Sequence, residues 1–185
     1  MFAIIGLGNP GKKYADTRHN AGWQILDSLS GKLKWSSSKH SPISYCWKDI
    51  NGQSIELVKP TTFMNKSGLA IGHLVKKHQL KPQDLIVVHD DKDLPLGKLR
   101  IQINHGAAGH NGVKSIIEHL KSTNFIRVRI GIQSDETENT PAEKLVLQKF
   151  SKKEKLILKK VINQANEAIK MIIEKGLNKA MSKFN

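Results

Sequence analysis

Two short apolar runs constrain the fold of this chain most strongly. Residues 2–7 (FAIIGL) and 84–88 (DLIVV) have the length of single strands and show little of the polar alternation of a half-solvated strand. Such strands belong in the interior of a sheet that is covered on both faces, as in α/β proteins. A polar segment follows each run, and helical patterns come later. The sequence therefore predicts an α/β fold in which at least some strands are parallel.

Four further segments have the composition of strands. Asn51-Gly52 lies between residues 43–50 and 54–58 and favours the turn of an antiparallel hairpin. Residues 98–103 alternate as a half-buried strand does, and residues 125–132 form another strand. A hairpin beside parallel strands predicts a mixed sheet. We expect a single α/β domain over the whole chain, with a twisted mixed β-sheet flanked by helices.

Apolar residues recur with helical spacing between the strands. The first helix is expected to begin at Asp16 or Thr17, either of which can cap it, and to end at Gly31. Further helices are expected over residues 64–80, with Leu69, Leu74 and Val75 facing inward, over 113–120, and over most of 151–185, while residues 36–41 and 135–141 are expected to be loops. The last helix is lysine-rich, with an apolar face that includes Leu156, Val161, Ala165, Ile169 and Ile172.

The charge of the chain indicates a polyanionic partner. Thirty lysine and arginine residues stand against 16 acidic ones, a formal net charge of +14. Nucleic acid is the most common partner of so basic a protein, and a generally basic, solvated surface is the alternative. Cys46 is the only cysteine, which excludes an internal disulfide and fits a reducing compartment. No apolar run approaches the ~20 residues of a membrane span, so we expect a cytoplasmic protein without a membrane partner.

The first loop contains Gly-x-Gly-x-x-Gly at Gly6, Gly8 and Gly11, but it departs from a dinucleotide site. In such a site the helix begins inside the glycine motif and its N-terminus holds the pyrophosphate. Here Pro10 and a polar segment delay the helix, and the acidic residue expected about 20 positions later is absent. The loop is better interpreted as one that presents Asn9 at the carboxyl end of the first strand.

His19 and Asp90 form a candidate catalytic pair. His19 is predicted in the first turn of a helix, where the helix dipole would keep its imidazole neutral and basic. Asp90 ends the second apolar strand, so parallel strands would place it beside the first loop. A carboxylate there could orient the histidine and stabilise its charged form. Metal binding and turn capping are the alternatives for Asp90.

Three asparagines stand on polar loops at the ends of predicted strands. Asn9, Asn65 and Asn111 can each cap a helix or turn, and each amide can also bind a carbonyl and an N–H group without charge. Together they point to recognition of an ester or a peptide. The chain has no Gly-x-Ser-x-Gly nucleophile motif, no P-loop and no His-Glu-x-x-His motif. Water activated by His19 is the simplest hydrolytic mechanism.

Five segments resemble the bacterial peptidyl-tRNA hydrolase family and occur in that family's order. They are GLGNPGKKYADTRHNAG (6–22), KPTTFMNKSG (59–68), HDDKDLPLGKLR (89–100), GHNGVKSI (109–116) and FIRVRIGI (125–132). The resemblance implies cleavage of the ester between a nascent peptide and the 3′ end of tRNA. It also implies an α/β/α mixed-sheet fold and a monomeric cytosolic enzyme that needs no metal or other cofactor.

The resemblance also implies site residues. It makes His19 the base for water, Asp90 its orienting partner and Asn9 the group that positions the reacting carbonyl or the water. Asn65 and Asn111 would hold the peptide or the ester region, Tyr14 and Met64 would line the cleft, and Lys114 and Arg129 would meet tRNA phosphates.

Three residues depart from the family pattern. His105 and Ala108 stand where small glycines are usual, and Gln102 occupies a strand position that is often basic. A Cβ disfavours positive φ at residue 108, so we expect a shifted or stiffened loop before Asn111. A second hypothesis is therefore an RNA-binding module that keeps the fold and has lost catalysis. Binding without turnover would distinguish it from the enzyme.

Overall fold

Parallel strands form the centre of the sheet, as the two apolar runs predict. In the computed structural model, which describes residues 1–185, β1 (Ala3–Gly6) lies between β4 (Gln53–Pro60) and β5 (Leu85–Pro95) and is parallel to both. β5 pairs in parallel with β7 (Ile126–Gln133) on its other side. β1 and the Leu85–Val88 part of β5 are buried on both faces, which explains why these two apolar runs lack polar alternation.

Antiparallel strands complete the two edges of the sheet. β3 (Ile43–Ile50) forms the predicted hairpin with β4, and β2 (Ser36–Ser37) pairs with β3. β6 (Leu99–Gln102) is antiparallel to β7. The strand order is β2-β3-β4-β1-β5-β7-β6 in one sheet. The predicted mixed sheet is confirmed, whereas the prediction of a loop over residues 36–41 is wrong at its start, where main-chain pairing with β3 imposes a short strand.

Helices cover both faces of the sheet. Because side chains alternate along a strand, Ile4 belongs to one apolar cluster and the next residue, Ile5, to the other. The first cluster includes side chains of α1 and α5, and the second includes side chains of α2 and α3. The helices are α1 (Ala21–Ser30), α2 (Ser67–His78), α3 (Asn111–Leu120), α4 (Ala142–Leu145), α5 (Lys152–Lys175) and α6 (Leu177–Phe184).

Three details of the predicted helices are wrong. Leu69 is 44% exposed and Leu156 is 69% exposed, so neither faces the core as their spacing predicts. Leu156 lies on the solvent side of α5, because the buried side of these turns is formed by Glu154, Leu158 and Val161. The predicted C-terminal helix is two helices, because Gly176 adopts a φ of 86° and breaks it.

The segment before α1 also differs from its prediction. α1 begins at Ala21, and a 3₁₀ turn over Arg18–Asn20 precedes it. Thr17 does not cap a helix, because its hydroxyl donates to the carbonyl of Tyr14 at 2.8 Å. The predicted end of the helix at Gly31 is confirmed. His19 therefore lies in a separate turn whose position is fixed by tertiary contacts.

The glycines of the first loop allow α1 to approach β1 closely. A Cβ on Gly6 would lie 2.5 Å from the carbonyl oxygen of Gly22, and one on Gly8 would lie 2.7 Å from the Trp23 ring. Close packing thus accounts for Gly6 and Gly8, and Gly11 adopts a φ of 104°, so the Gly-x-Gly-x-x-Gly pattern needs no nucleotide to explain it. Gly6 is paired with Val88 in parallel register, which places the first loop and the end of the apolar part of β5 at the same edge of the sheet.

Candidate active site

Asp90 lies at the centre of a cluster of histidines. Its carboxylate is 1% exposed and lies on β5, two residues beyond the pairing with β1. His19 Nδ1 is 2.9 Å from both carboxylate oxygens, and His110 Nε2 is 2.9 Å from Oδ1. The structure thus brings the predicted pair His19 and Asp90 together and adds a third side chain.

The hydrogen bonds assign the protons of this cluster. Burial alone would raise the pKa of Asp90, but His19 and His110 outweigh it and hold that pKa far below its usual range. An ionised carboxylate only accepts hydrogen bonds, so His19 Nδ1 and His110 Nε2 must each carry a proton toward it. His19 Nε2 makes no hydrogen bond within the protein and keeps its lone pair. It is the atom that can accept a proton from water.

The charge of Asp90 dominates the electrostatics of His19. Burial lowers the pKa of His19, but the charge and hydrogen bond of Asp90 raise it more, so the pKa lies above its ordinary value. The prediction that a helix N-terminus keeps this imidazole neutral is therefore wrong. The group that decides the balance is Asp90, and it raises the pKa of His19. His19 lies before α1, in the 3₁₀ turn, and the adjacent carboxylate favours its charged form.

His110 is a site residue that the sequence analysis missed. It is the N-cap of α3, where its Nδ1 accepts the N–H of Val113 at 3.3 Å while its Nε2 faces Asp90. Asn111, the predicted cap, is instead the first residue of the helix. The signal was present in the Gly-His-Asn-Gly motif, but only the fold shows that the histidine reaches β5.

His89 supports the cluster from the interior of the protein. Its ring is fully enclosed, packs edge-on against His110 at 4.6 Å between centroids, and bonds through Nδ1 to the main-chain oxygen of Asp90 at 2.7 Å. Burial, and then the neighbouring His110, lower the pKa of His89 well below its ordinary value. His89 is therefore a neutral ring that packs behind His110.

Asn9 has a fixed orientation beside this cluster. Its main-chain N–H donates to Asn20 Oδ1 at 2.9 Å, and its main-chain oxygen accepts from Asn20 Nδ2 at 3.0 Å. Its side-chain Oδ1 accepts the N–H of Met64 at 2.8 Å. The remaining Nδ2 has no partner within the protein. The amide is thus held as a hydrogen-bond donor next to the turn that carries His19.

The other predicted cleft residues occupy two separate places. Asn111 lines a cavity together with His19, Asp90 and His110. Outside that cavity, beside Asn9, lie Tyr14, Asn65 and Met64. Asn65 is exposed. The Met64 side chain is only 4% exposed and belongs to the core, so Met64 contacts Asn9 through its main-chain N–H.

Phe63 is a second residue that the sequence analysis missed. It is 56% exposed and meets the Tyr14 ring edge-on, with centroids 6.4 Å apart. Lys13 Nζ lies 4.8 Å from the centre of the same Tyr14 ring. Phe63 is the N-cap of a 3₁₀ turn over Met64–Lys66, and the sequence alone does not distinguish such an exposed aromatic residue from a core residue.

Lys114 and Arg129, the two predicted phosphate-binding residues, differ in how many of their donor atoms are already bonded within the protein. Lys114 lies exposed in the first turn of α3 and makes no ion pair. Arg129 is mostly buried, and its Nε pairs with Asp91 while its Nη1 donates to Gln102 Oε1 at 2.7 Å. Gln102, the departure from a basic residue, thus accepts a hydrogen bond from Arg129. Only Nη2 of Arg129 remains without a protein partner.

Ala108 adopts the conformation that its Cβ disfavours. Its φ is 47°, in the left-handed region, and it lines the same cavity as His110. The chain accepts this strained conformation at a cost of about 1–2 kcal/mol. His105 is exposed in the same loop.

The same three side chains are the set that could hold a cation. One ligand atom from each of His19, Asp90 and His110 lies within 4.8 Å of the others. Two imidazoles and a carboxylate are common zinc ligands. An ion there would have to replace both N–H protons that now point at Asp90. The hydrogen-bonded arrangement satisfies all three groups and matches a water-activating His–Asp pair.

A buried imidazole–carboxylate pair at the carboxyl ends of parallel strands is an arrangement that α/β enzymes use for acid–base chemistry, including hydrolysis. Comparison with known proteins makes the class specific. The sequence model of the family described as peptidyl-tRNA hydrolase matches residues 3–185. The chain is 47% identical over 184 residues to the peptidyl-tRNA hydrolase of Fervidobacterium nodosum, covering 98% of this chain and 94% of the relative.

A second relative and a solved structure agree. The peptidyl-tRNA hydrolase of Thermotoga maritima is 44% identical over 186 residues, covering 100% of this chain and 97% of the relative. The crystal structure of peptidyl-tRNA hydrolase from Acinetobacter baumannii superposes with a TM-score of 0.89 at 32% identity, covering 100% of this chain and 94% of that one. This chain belongs to the peptidyl-tRNA hydrolase family. None of its helices is long and apolar enough to cross a membrane.

Proposed function

We propose that this chain hydrolyses the ester bond between the peptide and the tRNA of peptidyl-tRNA, with His19 as the base. The observation that carries the proposal is the Asp90 carboxylate, which is buried and 2.9 Å from His19 Nδ1. That contact fixes the proton on Nδ1 and leaves Nε2 as a base. Membership of the peptidyl-tRNA hydrolase family supplies the substrate.

The chemistry begins with proton transfer from water to His19 Nε2. The water oxygen attacks the ester carbonyl carbon, and negative charge develops on the carbonyl oxygen. Asp90 stabilises the imidazolium that forms, because its charge lies next to Nδ1. The C–O bond to the ribose then breaks, and the imidazolium returns its proton to the leaving ribose oxygen. The products are a peptide acid and free tRNA.

Amide groups are proposed to hold the reacting ester. Asn9 Nδ2 donates to the carbonyl oxygen or the water, because its Oδ1 is already bonded to the Met64 N–H. Asn111 lies in the cavity beside His19 and is proposed to bind the peptide or ester region. Asn65 and Tyr14 are proposed to contact the substrate from the Asn9 side.

The positive charge is proposed to bind the tRNA. Lys114 is free to meet a phosphate, and Arg129 can use the Nη2 atom that its contacts with Asp91 and Gln102 leave unpaired. The net charge of +14 supports a binding free energy that weakens steeply with salt. The proposed oligomeric state is a monomer, as the resemblance to the family implies. Because peptidyl-tRNA arises in translation, the proposed location is the cytoplasm.

The direct test is hydrolysis of N-acetyl-aminoacyl-tRNA by purified protein in EDTA. We expect wild-type protein to release the N-blocked amino acid and to spare free aminoacyl-tRNA. His19→Ala should lose turnover by about 10²-fold or more while retaining tRNA affinity. His73→Ala is the matched control, because His73 is exposed on α2 and unchanged turnover is expected.

Two outcomes would contradict the proposal. Unchanged turnover in His19→Ala would remove the proposed base. Salt-sensitive tRNA binding by wild-type protein without any hydrolysis would favour an RNA-binding module instead.

A further inference from the structure

A buried ion pair lies immediately next to the proposed base. Arg18 and Glu154 are 2% and 3% exposed, and Arg18 Nη2 donates to both carboxylate oxygens at 2.7 and 2.8 Å. The two residues are 136 positions apart in the chain. Arg18 also donates through Nη1 to the main-chain oxygen of Ile132 at 2.9 Å, and its guanidinium lies over the Phe150 ring at 4.7 Å.

Glu154 is itself held rigidly. It lies in the first turn of α5, where it accepts the N–H of Ser151 at 2.7 Å in a capping box. The hydroxyl of Ser134 donates to its other oxygen at 2.6 Å. The carboxylate therefore has donors on both oxygens and cannot move without breaking the start of α5. Glu154 therefore gives Arg18 a rigidly held partner in the C-terminal half of the chain.

Main-chain contacts tie the same turn to the C-terminal half. The N–H of Arg18 donates to the oxygen of Gln148 at 2.9 Å, and the N–H of His19 donates to the oxygen of Val146 at 2.8 Å. These bonds, together with those between Asn20 and the main chain of Asn9, hold the backbone of the turn. The side chain of Arg18, the residue before His19, adds a buried anchor to the C-terminal half.

We propose that the Arg18–Glu154 pair is the positioning device that sets where His19 meets Asp90. Asp90 can orient the imidazole ring only if the main chain delivers it within hydrogen-bond distance. The 3₁₀ turn has no side-chain cap of its own, so its position comes from outside. Arg18 and Glu154 contact neither the cleft nor Asp90, and they act through His19. The inference rests on His19 being the base.

Stability and positioning can be separated by an apolar replacement. Removing one member of a buried pair leaves an unpaired charge and strongly destabilises the fold, whereas replacing both with apolar side chains is often tolerated. The double variant Arg18→Met with Glu154→Leu therefore removes the ion pair while filling its volume. Asp16→Asn is the matched control, because it removes the exposed pair of Asp16 with Lys149 at 3.9 Å in the same two segments.

We expect the double variant to unfold cooperatively and to keep the KM for N-acetyl-aminoacyl-tRNA within about twofold. Its kcat should fall at least about tenfold, because a small misplacement of a reacting group is costly. The acid limb of its kcat–pH profile should move to lower pH as His19 loses contact with Asp90. The proton on His19 Nδ1, observed by NMR, should lose its strong hydrogen-bond shift. Asp16→Asn should change none of these quantities.

A folded double variant with wild-type kcat, acid limb and Nδ1–H resonance overturns the inference. If that variant does not fold, Glu154→Gln keeps an oxygen for the N–H of Ser151 and an amide beside Ser134 but removes the charge opposite Arg18. It should show the same changes at smaller size, and a wild-type profile for Glu154→Gln would also overturn the inference. Full turnover in His19→Ala would instead refute the proposed function, so the two failures are distinguishable.

Discussion

Replacing Asp90 by asparagine tests the core of the mechanism. The side chain keeps its shape and one oxygen, so His110 Nε2 can still donate to it as it does to Oδ1 in the wild type at 2.9 Å. The negative charge is lost. The new amide nitrogen would face His19 Nδ1, which favours the tautomer with the proton on Nε2. In that tautomer His19 cannot accept a proton from water.

The size of the effect follows from the charge that is removed. A positioned general base typically contributes about 10²–10⁴-fold to the rate. Both Asp90 oxygens are 2.9 Å from His19 Nδ1, and the carboxylate is buried, so solvent screens its charge little and its loss should remove much of that contribution. We expect kcat to fall by roughly 10²–10³-fold, which is about 2.7–4 kcal/mol in the activation barrier.

The assay is kcat against pH for N-acetyl-aminoacyl-tRNA, with tRNA affinity measured separately. The base must be neutral, and the pKa of His19 is raised, so wild-type activity is lost as pH falls through that raised pKa. In Asp90→Asn the raising charge is gone, and the acid limb moves to lower pH. Asp93→Asn is the control, since Asp93 lies on the same strand and pairs with Lys92 in solvent. A kcat within threefold of wild type and an unmoved acid limb would refute the mechanism.

Three predictions concern stability and are checked by thermal or urea unfolding. Burial raises the pKa of Glu56 despite His78, so Glu56→Gln should raise Tm at pH 8 and lose that advantage near pH 4, where the wild-type carboxyl is protonated. Gly68→Ala should lower the free energy of unfolding by about 1–3 kcal/mol, because its Cβ collides with the main chain of α3, whereas Gly72→Ala on the same helix meets nothing and should stabilise by up to about 1 kcal/mol. Ala108→Gly should stabilise by about 0.5 kcal/mol, because it relieves a φ of 47°.

The parallel centre of the sheet and the proximity of His19 and Asp90 were predictable from the sequence. Strands that are apolar on both faces have few alternative places in a fold, and parallel strands bring their carboxyl ends together. Asp90 is therefore expected beside the segment that carries Asn9 and His19. The register of β1 with β5 confirms it. Local sequence patterns thus predict the position of a strand correctly where burial of both its faces leaves only one place for it in the sheet.

Features that depend on contacts between distant segments were not predictable in this way. Leu69 and Leu156 were predicted to face the core from their spacing, but both face solvent. Spacing alone does not show which side of a helix packs on the sheet. The pairing of Arg18 with Glu154 joins residues that no local pattern relates. His110 looked like part of a helix start, and its contact with Asp90 exists only because the loop before α3 returns to β5.

The cap of α3 connects these local and distant features. Val113 N–H occupies His110 Nδ1, so the proton of His110 lies on Nε2, which donates to Asp90. One ring nitrogen thus closes the cap of α3 while the other holds the carboxylate from the side opposite His19. The N-cap of α3 therefore helps to fix the Asp90 carboxylate that orients His19, the proposed base.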